Sequence, residues 1–400
     1  MDQAPEFRLF CLALRRPLSA SDAAALRDAI ARAPDWSAIV AGARRHRVAP
    51  FVLEGLQACG SALIPDPVIA ELRRQTVAVA QRSLAQAAEA GRLARAFADA
   101  GVRTLALKGV VLSAQLHGDK IPRDARDIDL LADPARFASA EAALDAAGYR
   151  HIPQAQTPRQ SAAYRRAMKD LEFVHAATGA PVELHHRLTD NPELLSIDFD
   201  ALWRARAEVR VGDAAVPTLG HEHLALYLMV HGAGHAWERL IWLVDLAAAL
   251  RAPGAVENAL AAAKAAGLAT AMLHAVMLAH AWLGLPVDER HLARARADAR
   301  VARRDRVLAH LYAGAAWHEM PTPGSRARLV RASIWQRLYR LSLKPEWRYV
   351  ASQLAREWFT PADWDTVRLP DALFFLYPVV RPVGWAMRRW CGQQAPSAPD

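Results

Sequence analysis

The sequence predicts an α+β protein in which a small mixed-sheet core sits between an N-terminal and a C-terminal α-helical region. Three observations predict it. Apolar residues recur at helical spacing from Ser19 to about Ala100, with few Gly or Pro. From Gly101 to about Pro217, short buried-strand patterns alternate with helical runs. After His221 the helical periodicity returns and continues to the C-terminus. The expected division is residues 1–100, 101–217 and 218–400, in a chain of 400 residues that exceeds one small module. Hydrophobic residues at 53% and charged residues at 23% exclude wholesale disorder.

Taken in order, Ser21-Asp22 reads as the cap of a helix through Ala31, and Asp35-Trp36-Ser37 opens another carrying Ile39, Val40 and Ala43. Asp66-Pro67 starts a long helix reaching about Ala100, with Leu72, Val79, Leu93 and Phe97 among its apolar positions. In the middle region Val102 to Leu107 is a short strand, Lys108-Gly109 a turn, and Val110 to His117 a helix. Asp127 to Ala132 is a second strand, and Asp133-Pro134 caps a helix to Ala147. Tyr149 to Ile152 is a further strand. Leu171 to His175 and Val182 to His185 flank hairpin punctuation at Thr178-Gly179-Ala180. Helical runs then cover 224–235, 237–250, 256–267, 270–283 and 288–319, before the breaker Pro321-Thr322-Pro323-Gly324. The tail from Leu369 to Cys391 mixes Phe374, Phe375, Tyr377 and Trp385 with Arg381, Arg388 and Arg389; its prolines favour docking against the body over a membrane interface.

Composition narrows the function. Cys11, Cys59 and Cys391 lack metal-ligand spacing, which argues against a disulfide framework or a cysteine zinc site. The chain opens with no secretory signal and holds no apolar stretch of bilayer-crossing length, so a cytoplasmic protein is expected. The formal charge is +9, carried almost wholly by Arg. In so Arg- and Ala-rich a chain this reads first as a solvated basic surface, and second as affinity for a polyanion.

The chemistry lies between Lys108 and Arg187. Residues two apart on a strand share a face, so Asp127 and Asp129 converge. Such a pair repels unless a cation sits between them, and a hard divalent ion with oxygen ligands suits it. Glu183 brings a third acid on another strand, and the Lys108-Gly109 turn opens a helix whose N-terminus can hold phosphate. Plainer uses are an ion pair of the two aspartates with Arg123 and Arg126, a solvent-facing Glu183, a packed His185 and a strand-terminal Lys108. Asp133 reads as a helix cap. His231 and His235 stand one turn apart, but Gly232, Gly234 and the lack of a third ligand favour packing or substrate contact over metal. Asp245, set among apolar neighbours, predicts a salt bridge to Arg239 or another arginine.

This order of features resembles the polymerase-β-like nucleotidyltransferase superfamily, and more closely its bacterial branch of uncharacterised nucleotidyltransferases. The likeness rests on Leu107-Lys108-Gly109, Arg123 followed by Asp127-Ile128-Asp129-Leu130-Leu131, and Glu183-Leu184-His185. His231, the stretch Arg239 to Leu246, Asp35-Trp36 and Arg45 to Pro50 extend it from about residue 35 to 250. The resemblance implies that Asp127, Asp129 and Glu183 are catalytic and bind two Mg²⁺ ions, with Mn²⁺ as an alternative. It implies an NTP substrate, ATP by superfamily habit, and an acceptor that is a small molecule, a peptide or an RNA. Lys108, Gly109, Arg123, Arg126 and His185 would contact nucleotide. One departure stands out: Val110 follows Gly109 where the superfamily usually has Ser, so Lys108 or an arginine takes over phosphate binding. A degenerate protein that only binds nucleotide or a partner is the competing reading.

Overall fold

The computed structural model describes residues 4–32, 34–118, 122–153, 155–313, 317–318, 326–357 and 361–390. The breaker at 321–324 and Cys391 lie outside the described residues, as do the side chains at 385, 388 and 389.

The N-terminal region is helical: α1 (Pro5–Ala13), α2 (Ala20–Ala31), α3 (Trp36–Arg45), α4 (Ala49–Ala58) and α5 (Asp66–Asp99). Ser19, rather than Ser21-Asp22, caps α2, its hydroxyl accepting the Asp22 N–H at 3.0 Å. Asp35 caps α3 as expected, accepting the N–H groups of Ser37 and Ala38. The 34 residues of α5 begin with Pro67 in the first turn, where a missing N–H goes unnoticed. Helices α1 and α4 approach so closely that a Cβ on Gly55 would lie 2.0 Å from the Ala13 carbonyl oxygen. Gly55→Ala is therefore expected to destabilise the fold by on the order of 1–3 kcal/mol, read as a lower urea midpoint. An unchanged midpoint would show that the two helices part freely.

The central region runs β1 (Thr104–Ala106), α6 (Gly109–His117), β2 (Ile128–Ala132), α7 (Phe137–Ala146), β3 (Tyr149–His151), α8 (Pro158–Ala167), β4 (Asp170–His175), β5 (Pro181–His185), α9 (Phe199–Arg204), β6 (Ala207–Val211) and β7 (Ala214–Thr218). Its strands form one mixed sheet in the order β3-β4-β5-β2-β1-β7-β6. β2 lies antiparallel to β1 and parallel to β5; β1 also pairs in parallel with β7. The β4–β5 hairpin has the expected partners, whereas the β6–β7 hairpin turning at Gly212 is an addition. Glu208 and Arg210 face outward on β6 and Pro217 interrupts β7, so this edge pair carries a weak strand pattern. Asp133 caps as expected, accepting the Ala135 N–H at 2.9 Å ahead of a short 3₁₀ turn into α7.

The chain continues through α10 (His221–Gly234), α11 (Leu240–Ala249), α12 (Ala255–Ala265), α13 (Ala269–Leu283), α14 (Glu289–Ala297), α15 (Ala299–Leu311), α16 (Arg326–Leu341), α17 (Trp347–Glu357), α18 (Ala362–Thr366) and α19 (Tyr377–Trp390). The single helix expected from 288 breaks at Asp298. That residue leaves helical geometry (φ −85°, ψ 113°) to accept the N–H groups of Arg300 and Val301, restarting the helix as α15.

The two faces of the sheet belong to different cores. Ile128, Leu130, Leu171, Phe173, Val182 and Leu184 pack with Leu93 and Phe97 of α5. On the opposite face Leu105, Leu107 and Leu131 join one core with α1, α4, α10, α11 and α13. The helical regions before and after the sheet thus share an interior. Trp364 of α18 and Tyr377 of the tail are buried in the sheet–α5 core, while Phe375 and Val379 remain exposed. Among the described residues no helix is long and apolar enough to cross a membrane.

Candidate active site

The site forms on the face of the sheet opposite α5. Asp129 of β2 is registered against Glu183 of β5, so the two side chains stand side by side. His185 lies two residues along β5, and Asp170 of β4 is registered against it. Period-two alternation therefore brings all four to one face while Ile128, Leu130 and Leu184 go to the other. Asp129, Glu183 and His185 are buried, and their ligand atoms all lie within 4.8 Å of one another.

His185 is central. Its Nε2 is 3.3 Å from Asp129 Oδ1, 3.3 Å from Glu183 Oε2 and 3.7 Å from Asp170 Oδ2. Burial and Lys169 disfavour its charge, yet the surrounding carboxylates win and hold the imidazole above its ordinary range. Lys108, at the N-cap of α6, reaches Asp129 Oδ1 at 2.9 Å. Burial opposes its charge, but Asp129, with Glu183 and Asp127 behind it, raises the ammonium above the usual lysine range. On the other flank Lys169 pairs with Asp170 and lies 3.7 Å from Glu183. A buried and a half-buried lysine thus bracket the acids.

Gly109 follows Lys108 with φ +73°, and a Cβ there would sit 3.3 Å from the Asp127 carbonyl oxygen. Only glycine suits so tight a left-handed turn, and it aims the start of α6 at the segment leading into β2.

Asp127 precedes β2 rather than lying on it, is half-buried, and stands outside the close set of Asp129, Glu183 and His185. Burial first, then the Asp129 charge, push its carboxyl up to about 7, against the pull of Lys108. Asp129 goes the other way: burial opposes its charge, but Lys108 and His185 hold it well below the carboxylate range. A raised carboxyl pKa means the folded chain binds that proton more tightly than the unfolded chain. Stability is therefore lost as pH rises from the ordinary aspartate value toward about 7. In EDTA, Asp127→Asn should gain on the order of 1–2 kcal/mol over wild type near pH 8, partial exposure limiting the size, and lose that advantage near pH 4. Identical urea midpoints near pH 8 would contradict this.

Arg123 has a structural partner. It is buried, and its Nε donates to Asp245 Oδ2 of α11 at 2.8 Å. Asp245 also accepts from, or pairs with, His117 Nε2 at 3.2 Å. Burial raises the Asp245 pKa, but Arg123 and His117 outweigh it and keep the carboxyl low. The salt bridge expected at Asp245 exists, with Arg123 rather than Arg239. Arg126 is exposed near the site's rim.

Further residues surround the cluster. Arg47, in the turn between α3 and α4, is buried at φ +58° and its charge favours ionised Asp127. Asp170 begins β4, one residue earlier than the strand pattern suggested, and Lys169 immediately precedes it. On α10, Tyr227 and His231 feel Lys108 and Asp129. Burial, then Lys108 and His235, keep the half-buried His231 well below its ordinary pKa and hence neutral. Its ring packs on Trp242 at 5.2 Å and His235 at 5.0 Å, in keeping with packing or substrate contact.

The donor set fits a hard divalent cation: two carboxylates with one imidazole, and an Asp129 Oδ2 that is buried without a hydrogen-bond partner. A protein-family model for an uncharacterised nucleotidyltransferase matches residues 32–284, well over half of the chain. The chain belongs to that family, and is thereby a transferase of phosphorus-containing groups whose substrate is a nucleoside triphosphate. No curated protein matches it.

Proposed function

Starting from that membership, we propose that the protein moves a nucleoside monophosphate, AMP by superfamily habit, from an NTP to a small-molecule, peptide or RNA acceptor. The observation that carries the reading is the register of Asp129 against Glu183 on parallel neighbouring strands, beside the helix start at Gly109. Asp127, Asp129 and Glu183 would hold Mg²⁺, or Mn²⁺ in its place, with His185 supporting them. Such an ion supplies charge neutralisation at the α-phosphate and on the attacking and leaving oxygens. The acceptor oxygen forms the new bond to the α-phosphorus, the bond to the bridging oxygen breaks, and pyrophosphate leaves. The hydroxyl proton of the acceptor would pass to Asp127, the more exposed acid, or to Glu183.

Lys108 and the N–H groups at Gly109 would take the triphosphate, with exposed Arg126 and the buried Arg47 and Arg123 adding positive charge. This distribution answers Val110, which offers no hydroxyl. The test is incubation with each of the four α-labelled NTPs, Mg²⁺ or Mn²⁺, and cell extract. Label is expected on an acceptor from α- but not γ-labelled NTP, and lack of transfer from every NTP with either ion would sink the reading. The Lys108–Asp129 pair favours a second reading, a degenerate nucleotide binder. That protein would bind a nonhydrolysable NTP and transfer nothing.

A further inference from the structure

A partly open cavity of about 200 Å³ lies at the far end of α6 from Gly109, bordered by α4, α6, α11, α13 and the segment that follows α1. Phe51, Val244 and Leu283 are among its mainly apolar walls, and its polar lining is Arg16, Arg251 and His117, with no acidic residue. Arg16 is committed: Nε donates to Glu54 at 2.8 Å and its other donors take the carbonyls of Ala13, Arg15 and Phe51. Arg251, half-buried just beyond α11, donates its backbone N–H to the Ala248 carbonyl, but its guanidinium makes no hydrogen bond or ion pair among the described residues. Burial first and the like charge of Arg16 second both act against its charge, and no carboxylate offsets them. A half-buried guanidinium set between an apolar wall and a second cation, with no carboxylate beside it, is matched only by solvent or by an anionic ligand.

We infer that this cavity is a binding site for a small organic carboxylate, its acid group held by Arg251 and its apolar body lying among Phe51, Val244 and Leu283. The volume accommodates on the order of six to ten non-hydrogen atoms, below the size of a nucleotide. A planar carboxylate matches the guanidinium fork, and Arg16 adds attraction without giving up its own partners. The site stands independently of the transferase reading, since none of its lining residues belongs to the carboxylate cluster.

The experiment titrates hexanoate and benzoate into the full-length protein by calorimetry, with hexanamide as the neutral counterpart. At least one carboxylate is expected to bind saturably, with hexanamide and the Arg251→Gln variant each at least tenfold weaker. Ala248→Phe, which places a ring in the cavity, should abolish binding while leaving the unliganded melting temperature within a few degrees. That variant keeps the test open if Arg251→Gln folds poorly. Failure of both carboxylates to bind wild type, or equal binding by hexanamide or by either variant, overturns the inference.

Discussion

Asp129→Asn is expected to lower nucleotidyl transfer by about a hundred- to a thousandfold, the scale seen when one focused electrostatic contact to a transition state is lost. Asp129 is the acid shared by every part of the cluster. Oδ1 meets Lys108 at 2.9 Å and His185 at 3.3 Å, and Oδ2 is buried without a partner. An amide of the same shape cannot neutralise two buried cations, so the variant should also lose on the order of 3 kcal/mol of stability. Asp127→Asn should likewise lose activity yet become more stable above neutral pH, because its carboxyl is the one destabilised by ionising. The two neighbouring substitutions are thus separated by opposite shifts in urea midpoint. Near-normal turnover by Asp129→Asn in Mg²⁺ would remove Asp129 from the chemistry. Lys108→Ala is the less informative variant, since it strips Asp129 of its pair as well as a phosphate contact.

Asp245→Ala should be the most destabilising single substitution near the site, at about 3–5 kcal/mol. It leaves Arg123 buried with its Nε facing a void, and releases His117 at the end of α6. The ion pair ties α11 to the segment that carries Asp127 into β2, so the loss should extend from unfolding to the position of Asp127. Replacing both partners by apolar residues, as in Arg123→Met with Asp245→Leu, removes the orphaned charge and should recover much of the loss. A double-mutant cycle on thermal unfolding reads this directly. A cost below about 1 kcal/mol for Asp245→Ala would show that water reaches Arg123.

Much of this arrangement was legible because alternation on a strand is a local rule. Asp129, Glu183 and His185 each follow an apolar residue that must enter the sheet–α5 core, so their face is fixed before any partner is known. Lys108-Gly109 was legible for a similar reason, since a turn between strand and helix demands a left-handed residue. The partner of Arg123 was not legible because it lies 122 residues away on α11, a distance no pattern along the chain encodes. Arg47 is hidden the same way: only when α3 and α4 pack against the sheet does its turn meet Asp127. Asp298 illustrates the local limit, an aspartate that could sit on a helical surface or restart a helix. Its carboxylate captures two N–H groups, and the break wins.

The pairing of β1 with β7 has a kinetic corollary. Thr218 Oγ1 donates to the Ala106 carbonyl at 2.7 Å across 112 residues of chain, and Asp129 meets His185 across 56. Closing the shorter loop brings the acids together, but β1 then remains an unpaired edge until the β6–β7 ribbon has been synthesised and docked. During translation the growing chain passes through an interval in which its most apolar strands are assembled and open along one side. A product that terminates in that interval would be a seed for edge-to-edge association rather than a small working enzyme.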